Sequence, residues 1–342
     1  VSEKTGISWT DATFNPWWSC TQISPGCDNC YAKTLAARFG YGWNGAPMRT
    51  FGDKHWKAPT DWAKQDFAQC EGCGWRGNAR ASKPRDYAGE SRHLCPNCEA
   101  ASLIKARRRV FCASMGDWLD LDAPISEFVR LLDLIRVTPE LDWLLLSKRI
   151  GNWRKRLTEA AEATVGSGGL SLWISRWLFG GTPPANVWLG ATVVNQEEAD
   201  RDIPKLLAVP ARVRFLSIEP MLSPISFDCW PLYGEDEKLL LHWIIAGGEG
   251  GPYARPLHVK WVRSIVQQCK AAGVAVHVKQ LGARIMDDGM SSPGEHWPMT
   301  KVREPLAQFT LDDPPFMVRM LHAKGGDVAE WPADLRIQEF PA

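Results

Sequence analysis

Short, nearly continuous apolar runs recur along the chain, most of them followed by a stretch in which apolar residues return every three or four positions. Residues 110–113 precede a helical pattern over Ile125–Val137, and residues 143–146 precede a basic helix start near Trp153. Residues 187–190 lead into a helix over Gln196–Leu207, and residues 213–216 into a proline-rich stretch. Residues 241–246 are followed by a helix over 259–272, and residues 274–278 form the last run. Strands that are apolar on both faces, alternating with amphipathic helices, are the pattern of parallel β/α units. A first strand near 14–18 brings the total to six or seven. The predicted fold is α/β, a partial or complete (β/α) barrel of six or seven parallel strands. A doubly wound open sheet is the alternative.

Three regions interrupt the repeat. Residues 41–108 form a long insertion, and residues 164–184, rich in glycine at their start, read as a loop or lid. Residues 284–342 read as a wrapping segment, where Gly289, Pro293, Gly294 and Pro298 argue against a regular element. The organisation predicted is a first strand and cysteine loop over 1–40, the insertion over 41–108, the remaining barrel over 109–283 and the wrap over 284–342.

Polar residues collect just after the strands: Ser114 and Asp117; Ser147, Lys148 and Arg149; Thr192 and Asn195; Ser217 and Glu219. Gly247, Gly248 and Glu249 follow the sixth run, and Lys279 and Gln280 the last. In a β/α barrel this edge forms the active-site rim. Any one of these residues is satisfied as a helix cap or a surface group, so the signal is their recurrence.

The 342 residues are 45% apolar, enough for a large core, and the formal charge of +1 makes no global case for a polyanion-coating protein. No signal-peptide core and no apolar run near 18 residues is evident. The expectation is a reduced, cytoplasmic protein with no membrane association. Ten cysteines change the picture, because seven of them fall in two clusters, which is metal-ligand rather than disulfide spacing.

The first cluster is Cys20, Cys27 and Cys30, with Pro25 and Gly26 letting the loop curl and a helix expected from about Asn29 to Phe39. Three soft thiolates hold three irons of a cubane cluster and leave the fourth iron open to chemistry. A zinc site completed by a distant ligand, or thiols with no metal, are the plainer readings. The second cluster pairs Cys70 and Cys73 with Cys95 and Cys98, the spacing of a structural zinc ribbon. A second iron–sulfur cluster is the alternative there. Arg76, Arg80, Lys83, Arg85 and Arg92, with Lys105, Arg107, Arg108 and Arg109 downstream, make the insertion basic. That face could guide a polyanion or be a solvated surface around a stabilising staple.

The chain resembles the phage Gp37/Gp68-like three-cysteine family. The matching stretches are 7–17, the cysteine run through Tyr31, 111–117, 146–149, 186–190, 214–220, 243–256, 278–282 and 331–341. That family resembles divergent radical S-adenosylmethionine (SAM) enzymes, with six residues rather than the usual three between the first two cysteines. The resemblance implies a [4Fe-4S] cluster at Cys20, Cys27 and Cys30. SAM would chelate its open iron, a reducing electron donor would supply one electron, and a 5′-deoxyadenosyl radical would abstract hydrogen from substrate. By the same analogy Ser114 and Asp117 receive the methionine amino group, and Lys148 and Arg149 hold a carboxylate. Thr192, Asn195 and Ser217 serve the cofactor, with Gly247 and Gly248 permitting close approach. Tyr31 lies near adenine or packs in the core. Glu219 and Glu249 orient a sugar or amine, and Lys279 and Gln280 read substrate.

The phage context implied by the resemblance points to DNA or a modified nucleoside in an infected bacterial host. The specific expectation is an isomerase-type rearrangement of an amino-acid adduct on a hypermodified thymidine, with duplex DNA requiring base flipping. Radical repair of a DNA photoproduct and radical modification of a protein or metabolite are the enzymatic alternatives. A nonenzymatic zinc-containing DNA-binding accessory protein is the alternative of a different class. Oligomeric state is open.

Overall fold

The computed structural model describes residues 2–43, 48–81, 84–87, 90–229, 239–287, 297, 301–302 and 316–341, excluding the side chains of 84–87, 90–92, 301–302, 316 and 319. Seven strands form one sheet: β1 (Ala12–Phe14), β2 (Arg108–Cys112), β3 (Leu141–Ser147), β4 (Val187–Thr192), β5 (Val213–Ile218), β6 (Trp243–Gly247) and β7 (Ala275–Gln280). Every neighbouring pair is parallel. The spatial order is the chain order, with no reversal, so this is an α/β half-barrel and not a doubly wound sheet. The first strand is shorter and earlier than expected, because Trp17 and Trp18 already belong to the loop that follows it.

Among the described residues seven α-helices accompany the sheet: α1 (Tyr31–Arg38), α2 (Asp53–Ala63), α3 (Ile125–Val137), α4 (Trp153–Ala163), α5 (Gly169–Leu178), α6 (Gln196–Leu207) and α7 (Val259–Ala271). Alternate strand residues, among them Phe14, Cys112, Leu145, Leu189, Leu216 and Ile244, join the apolar stripes of the helices in one large core. In α3 the buried positions Phe128, Leu131, Leu132 and Ile135 repeat at helical spacing, each side chain contributing about 1.5–3 kcal/mol by burial. The stretch expected to be a loop or lid contains α5, which buries Leu170, Ile174, Trp177 and Leu178. Gly166 and Gly168, at φ +84° and +56°, form the turn that precedes it and that reads as a loop.

The other strand face lines the concave side. Phe111, Leu144, Trp188, Phe215, Trp243 and Ile245 fill its lower half together with Trp9 from the N-terminal segment. Phe340 packs 5.2 Å from Trp243. Gly190 is required in mid-strand, since a Cβ there would lie 2.4 Å from the Phe215 ring. This aromatic layer closes the half-barrel from below and leaves the C-terminal edge as its mouth.

The insertion has two parts. Helix α2 buries Trp56 and Trp62 in the main core. Beyond it, Phe67–Cys70, Arg76–Asn78 and Leu103–Lys105 form a three-stranded sheet, and Pro84–Tyr87 pairs with Glu90–His93. Near the C-terminus, Ile285–Asp287 pairs with Leu257–His258 and Phe316–Arg319. Gly289, Pro293, Gly294 and Pro298 lie outside the described residues. Among the described residues no helix is long and apolar enough to cross a membrane.

Candidate active site and metal sites

The loop after β1 carries the three cysteines to the C-terminal edge of the sheet. Ser24 caps a single helical turn, Pro25–Cys27, by accepting from the Gly26 amide at 3.0 Å. The Cys30 amide donates to the Cys27 carbonyl at 3.3 Å, and Cys30 is the N-cap of α1. Gly26 presses against the ends of β3 and β4: a Cβ would lie 2.7 Å from Val194 and 3.4 Å from Lys148. All three cysteines are reduced and half-buried. Among the described residues they do not form a group tight enough for a single ion.

Beneath this loop lies a buried charge network. Asp117 accepts from Ser147 Oγ at 2.7 Å and from the Leu119 and Lys148 amides at 3.0 Å, and pairs with Arg149 at 3.0 Å. Arg149 also pairs with Asp120 at 3.3 Å and donates to the Thr21 carbonyl, while Asp120 accepts from the Thr21 amide at 2.9 Å. Burial works against the Arg149 charge, but the two carboxylates outweigh it and hold the guanidinium above its ordinary range. The resemblance placed Asp117 and Arg149 on cofactor or substrate; here both are committed to holding the residue after Cys20. Lys148 differs, since its ammonium has no carboxylate partner among the described residues and its side chain lies beside the cysteine loop.

A second set of contacts ties the loop to β6. Glu249 accepts from the Arg255 amide at 2.9 Å, from Arg255 Nη2 at 2.5 Å and from Asn29 Nδ2 at 3.0 Å. Burial raises the Glu249 pKa, but these hydrogen bonds outweigh it and hold the carboxyl below the usual range. Arg255 also pairs with Asp28 at 3.1 Å, and Asn29 donates to the Tyr253 carbonyl at 2.8 Å. Glu249 thus fastens the loop rather than standing free at the rim. Arg255, Asn29, Asp28 and Asp120 belong to the site and were missed from sequence, although Asp28 and Asn29 stand between two of the cysteines.

The rim itself is mixed. Thr192 and Ser217 are register partners on adjacent strands, near the C-terminal ends of β4 and β5. Both are almost fully buried, and among the described residues neither hydroxyl has a hydrogen-bond partner. Glu219 pairs with Lys279 at 2.6 Å and accepts from Gln280 at 3.1 Å. Ser114 exchanges hydrogen bonds with Asn15, and its carbonyl accepts from the Tyr31 hydroxyl at 2.5 Å. Tyr31 is 58% exposed, so it is not a core residue. Asn195 proves to be the cap of α6, accepting from the Glu198 amide at 2.9 Å. Gly248 is explained by the chain itself, because a Cβ would lie 2.6 Å from the Leu281 carbonyl oxygen; at Gly247 the Gln280 carbonyl is similarly close, at 3.1 Å.

The four cysteines of the insertion, Cys70, Cys73, Cys95 and Cys98, converge. Their sulfurs all lie within 4.8 Å, with Cys70 to Cys98 and Cys73 to Cys95 each at 3.6 Å. Four thiolates bound at about 2.3 Å to one tetrahedral ion sit about 3.8 Å apart, so the group could bind a metal ion such as zinc. The two knuckles repeat one backbone pattern. The Gly74 amide donates to Cys70 O and the Glu99 amide to Cys95 O, each at 2.9 Å, with both residues at positive φ. Cys70 and Cys95 are buried, and Cys73 and Cys98 face solvent.

Four of the arginines expected on the basic face are engaged within the fold. Arg76 pairs with Asp11 at 3.0 Å, Arg107 with Asp142 at 3.5 Å, and Arg108 with Glu3 at 3.2 Å. Arg109 is buried, its guanidinium 3.9 Å from the Phe340 ring centre. Asp11 and Arg108 stand at the starts of β1 and β2, so the ribbon is fastened to the edge opposite the cysteine loop. Arg80 and Lys105 are exposed. Lys83 and the side chains of Arg85 and Arg92 lie outside the described residues.

The chain belongs to the family described as protein of unknown function (DUF5131), whose family model matches residues 4–314. No curated protein and no solved structure matches it.

Proposed function

We propose that this member of the DUF5131 family is a radical SAM enzyme that modifies DNA or a nucleoside. The observation that carries the reading is the placement of Cys20, Cys27 and Cys30. They are three reduced thiols on one loop, at the open edge of a parallel half-barrel whose other end is filled with aromatic side chains. They are not grouped tightly enough for a single ion among the described residues, whereas in a cubane cluster each thiolate bonds a different iron. When bound, a [4Fe-4S] cluster with SAM supplies one-electron chemistry that takes hydrogen from an unactivated carbon.

The chain's own residues have separate parts. Asp117, Asp120 and Arg149 hold the start of the cysteine loop, and Glu249, Arg255 and Asn29 hold its end. Lys148 is the cation left to take a carboxylate beside the loop. The hydroxyls of Thr192 and Ser217 are free to receive polar groups such as those of a ribose, and Tyr31 offers a ring at the mouth. Glu219 and Lys279 can exchange partners with the ammonium and carboxylate of an amino-acid adduct, which leaves no charge unpaired. This favours rearrangement of such an adduct on a modified thymidine, an isomerase-type reaction. The four-cysteine group we assign to a structural zinc, because four thiolates close its shell.

Anaerobic reconstitution tests the reading. The expected product is a brown protein carrying about four irons per chain, dependent on all three cysteines, that cleaves SAM after reduction. Zinc alone at both cysteine sites, or no SAM cleavage, overturns it. Mass analysis of treated DNA and nucleosides then reads the substrate. Unchanged masses alongside SAM cleavage would move the substrate to a protein or metabolite.

A further inference from the structure

Arg76, Arg107 and Arg108 of the insertion are paired and Arg109 is buried, while a different segment carries positive charge near the mouth. Residues 29–52 contain no aspartate or glutamate, but include Lys33, Arg38 and Arg49 and five aromatic residues. Among the described residues none of the three cations has a carboxylate partner. Lys33 and Arg38 are exposed on α1, the helix that begins at Cys30. Phe39 is 61% exposed and Tyr41 37%.

These rings are held in place. Phe39 and Tyr41 lie 5.9 Å and 5.7 Å from Trp18, and the Arg49 guanidinium sits 4.0 Å from the Tyr41 ring and 4.9 Å from those of Trp18 and Phe51. Phe51 stacks on His55 at 4.0 Å, which joins the patch to α2 and its exposed Lys54 and Lys57. Asp53, the one carboxylate nearby on that helix, is paired with Arg130 at 2.5 Å. A fixed array of exposed rings between unpaired cations is the arrangement that binds single strands, with bases stacking on the rings and phosphates on the cations.

We infer that the face formed by α1 and the start of α2 binds a single-stranded polynucleotide and leads it to the mouth of the half-barrel. The inference rests on the nucleic-acid reading above and moves the contact surface from the ribbon to α1. Single strands are favoured over duplex because paired bases have no free faces to offer Phe39 and Tyr41.

Fluorescence anisotropy with a labelled mixed-sequence oligodeoxynucleotide, at graded salt, tests it. The double variant Lys33→Gln/Arg38→Gln should bind about ten-fold more weakly or worse and lower the salt slope by about one to one and a half units. Phe39→Ala should weaken binding by about five-fold or more with the slope unchanged. Arg80→Gln/Lys105→Gln, on the ribbon, should match the wild type. Lack of binding by the wild type overturns the inference, as does binding that only the ribbon variant weakens. Tighter binding of the matching duplex overturns its single-strand part. Iron content and SAM cleavage of the Lys33→Gln/Arg38→Gln variant should equal those of the wild type. Iron and SAM cleavage without oligonucleotide binding would sink this inference alone. Oligonucleotide binding without iron would sink the radical reading and leave this one standing.

Discussion

Arg149 and Lys148 are neighbours in sequence, both basic and both at the end of β3, yet they do opposite jobs. Arg149 is buried between Asp117 and Asp120, and Lys148 has no carboxylate partner among the described residues. Replacing Arg149 by Met leaves two buried carboxylates facing each other, which should cost about 3–5 kcal/mol. Replacing Lys148 by Met should change stability by no more than about 0.5 kcal/mol. Urea titrations of the two variants check the contrast, and the Arg149→Met protein should also take up less iron because Thr21 loses its anchor. From sequence alone the two residues are indistinguishable members of a polar set after a strand. Only the three-dimensional position of Asp120, on another loop, separates them. Asn195 has a local explanation, since a polar residue three positions before Glu198 is a helix-start pattern.

At the scale of elements, periodicity served well where one face of each element is buried. Helices α3 and α6 begin and end where their patterns place them. Helix α5 was concealed by the glycines before it, although Leu170, Ile174, Trp177 and Leu178 keep helical spacing. The ribbon has short strands and two solvent-facing cysteines, so on the zinc assignment the metal would be its main tie. Removing the proposed zinc with a chelator should therefore open residues 67–105 to limited proteolysis while the far-ultraviolet spectrum of the half-barrel changes little. Mass spectrometry of the fragments reads the outcome. Retention of an intact ribbon after metal loss would show that the Arg76–Asp11 pair is sufficient by itself.

For the whole molecule, the aromatic layer at the closed end carries a titrating group. His277 is fully buried beside Trp243 and Phe340, and its Nε2 is 2.8 Å from Ser8 Oγ. Burial, with help from the Lys279 and Arg109 charges, lowers its pKa to about 4. The unfolded chain, with its ordinary histidine pKa of about 6.5, binds the proton first, so stability is complete above that pH and is lost as pH falls toward 4. The loss from this group should reach about 2 kcal/mol at pH 5. Urea midpoints measured at pH 7 and pH 5 should differ by less in His277→Gln than in the wild type. Equal differences would mean that the histidine is not held neutral.

Apolar runs, helical repeats and cysteine spacing determined the parallel α/β architecture and the two candidate metal sites, because each is written in residues close together in the chain. Tertiary structure decided the rest: a half-barrel rather than a closed one, a ribbon at the edge away from the mouth, and arginines spent on Asp11, Glu3 and Asp142 rather than left for a polyanion. Those outcomes depend on which charges meet across the fold. A sequence shows that charges are present, but pairing, burial and the remainder at Lys33, Arg38 and Lys148, which have no carboxylate partner among the described residues, exist only once distant segments are brought together.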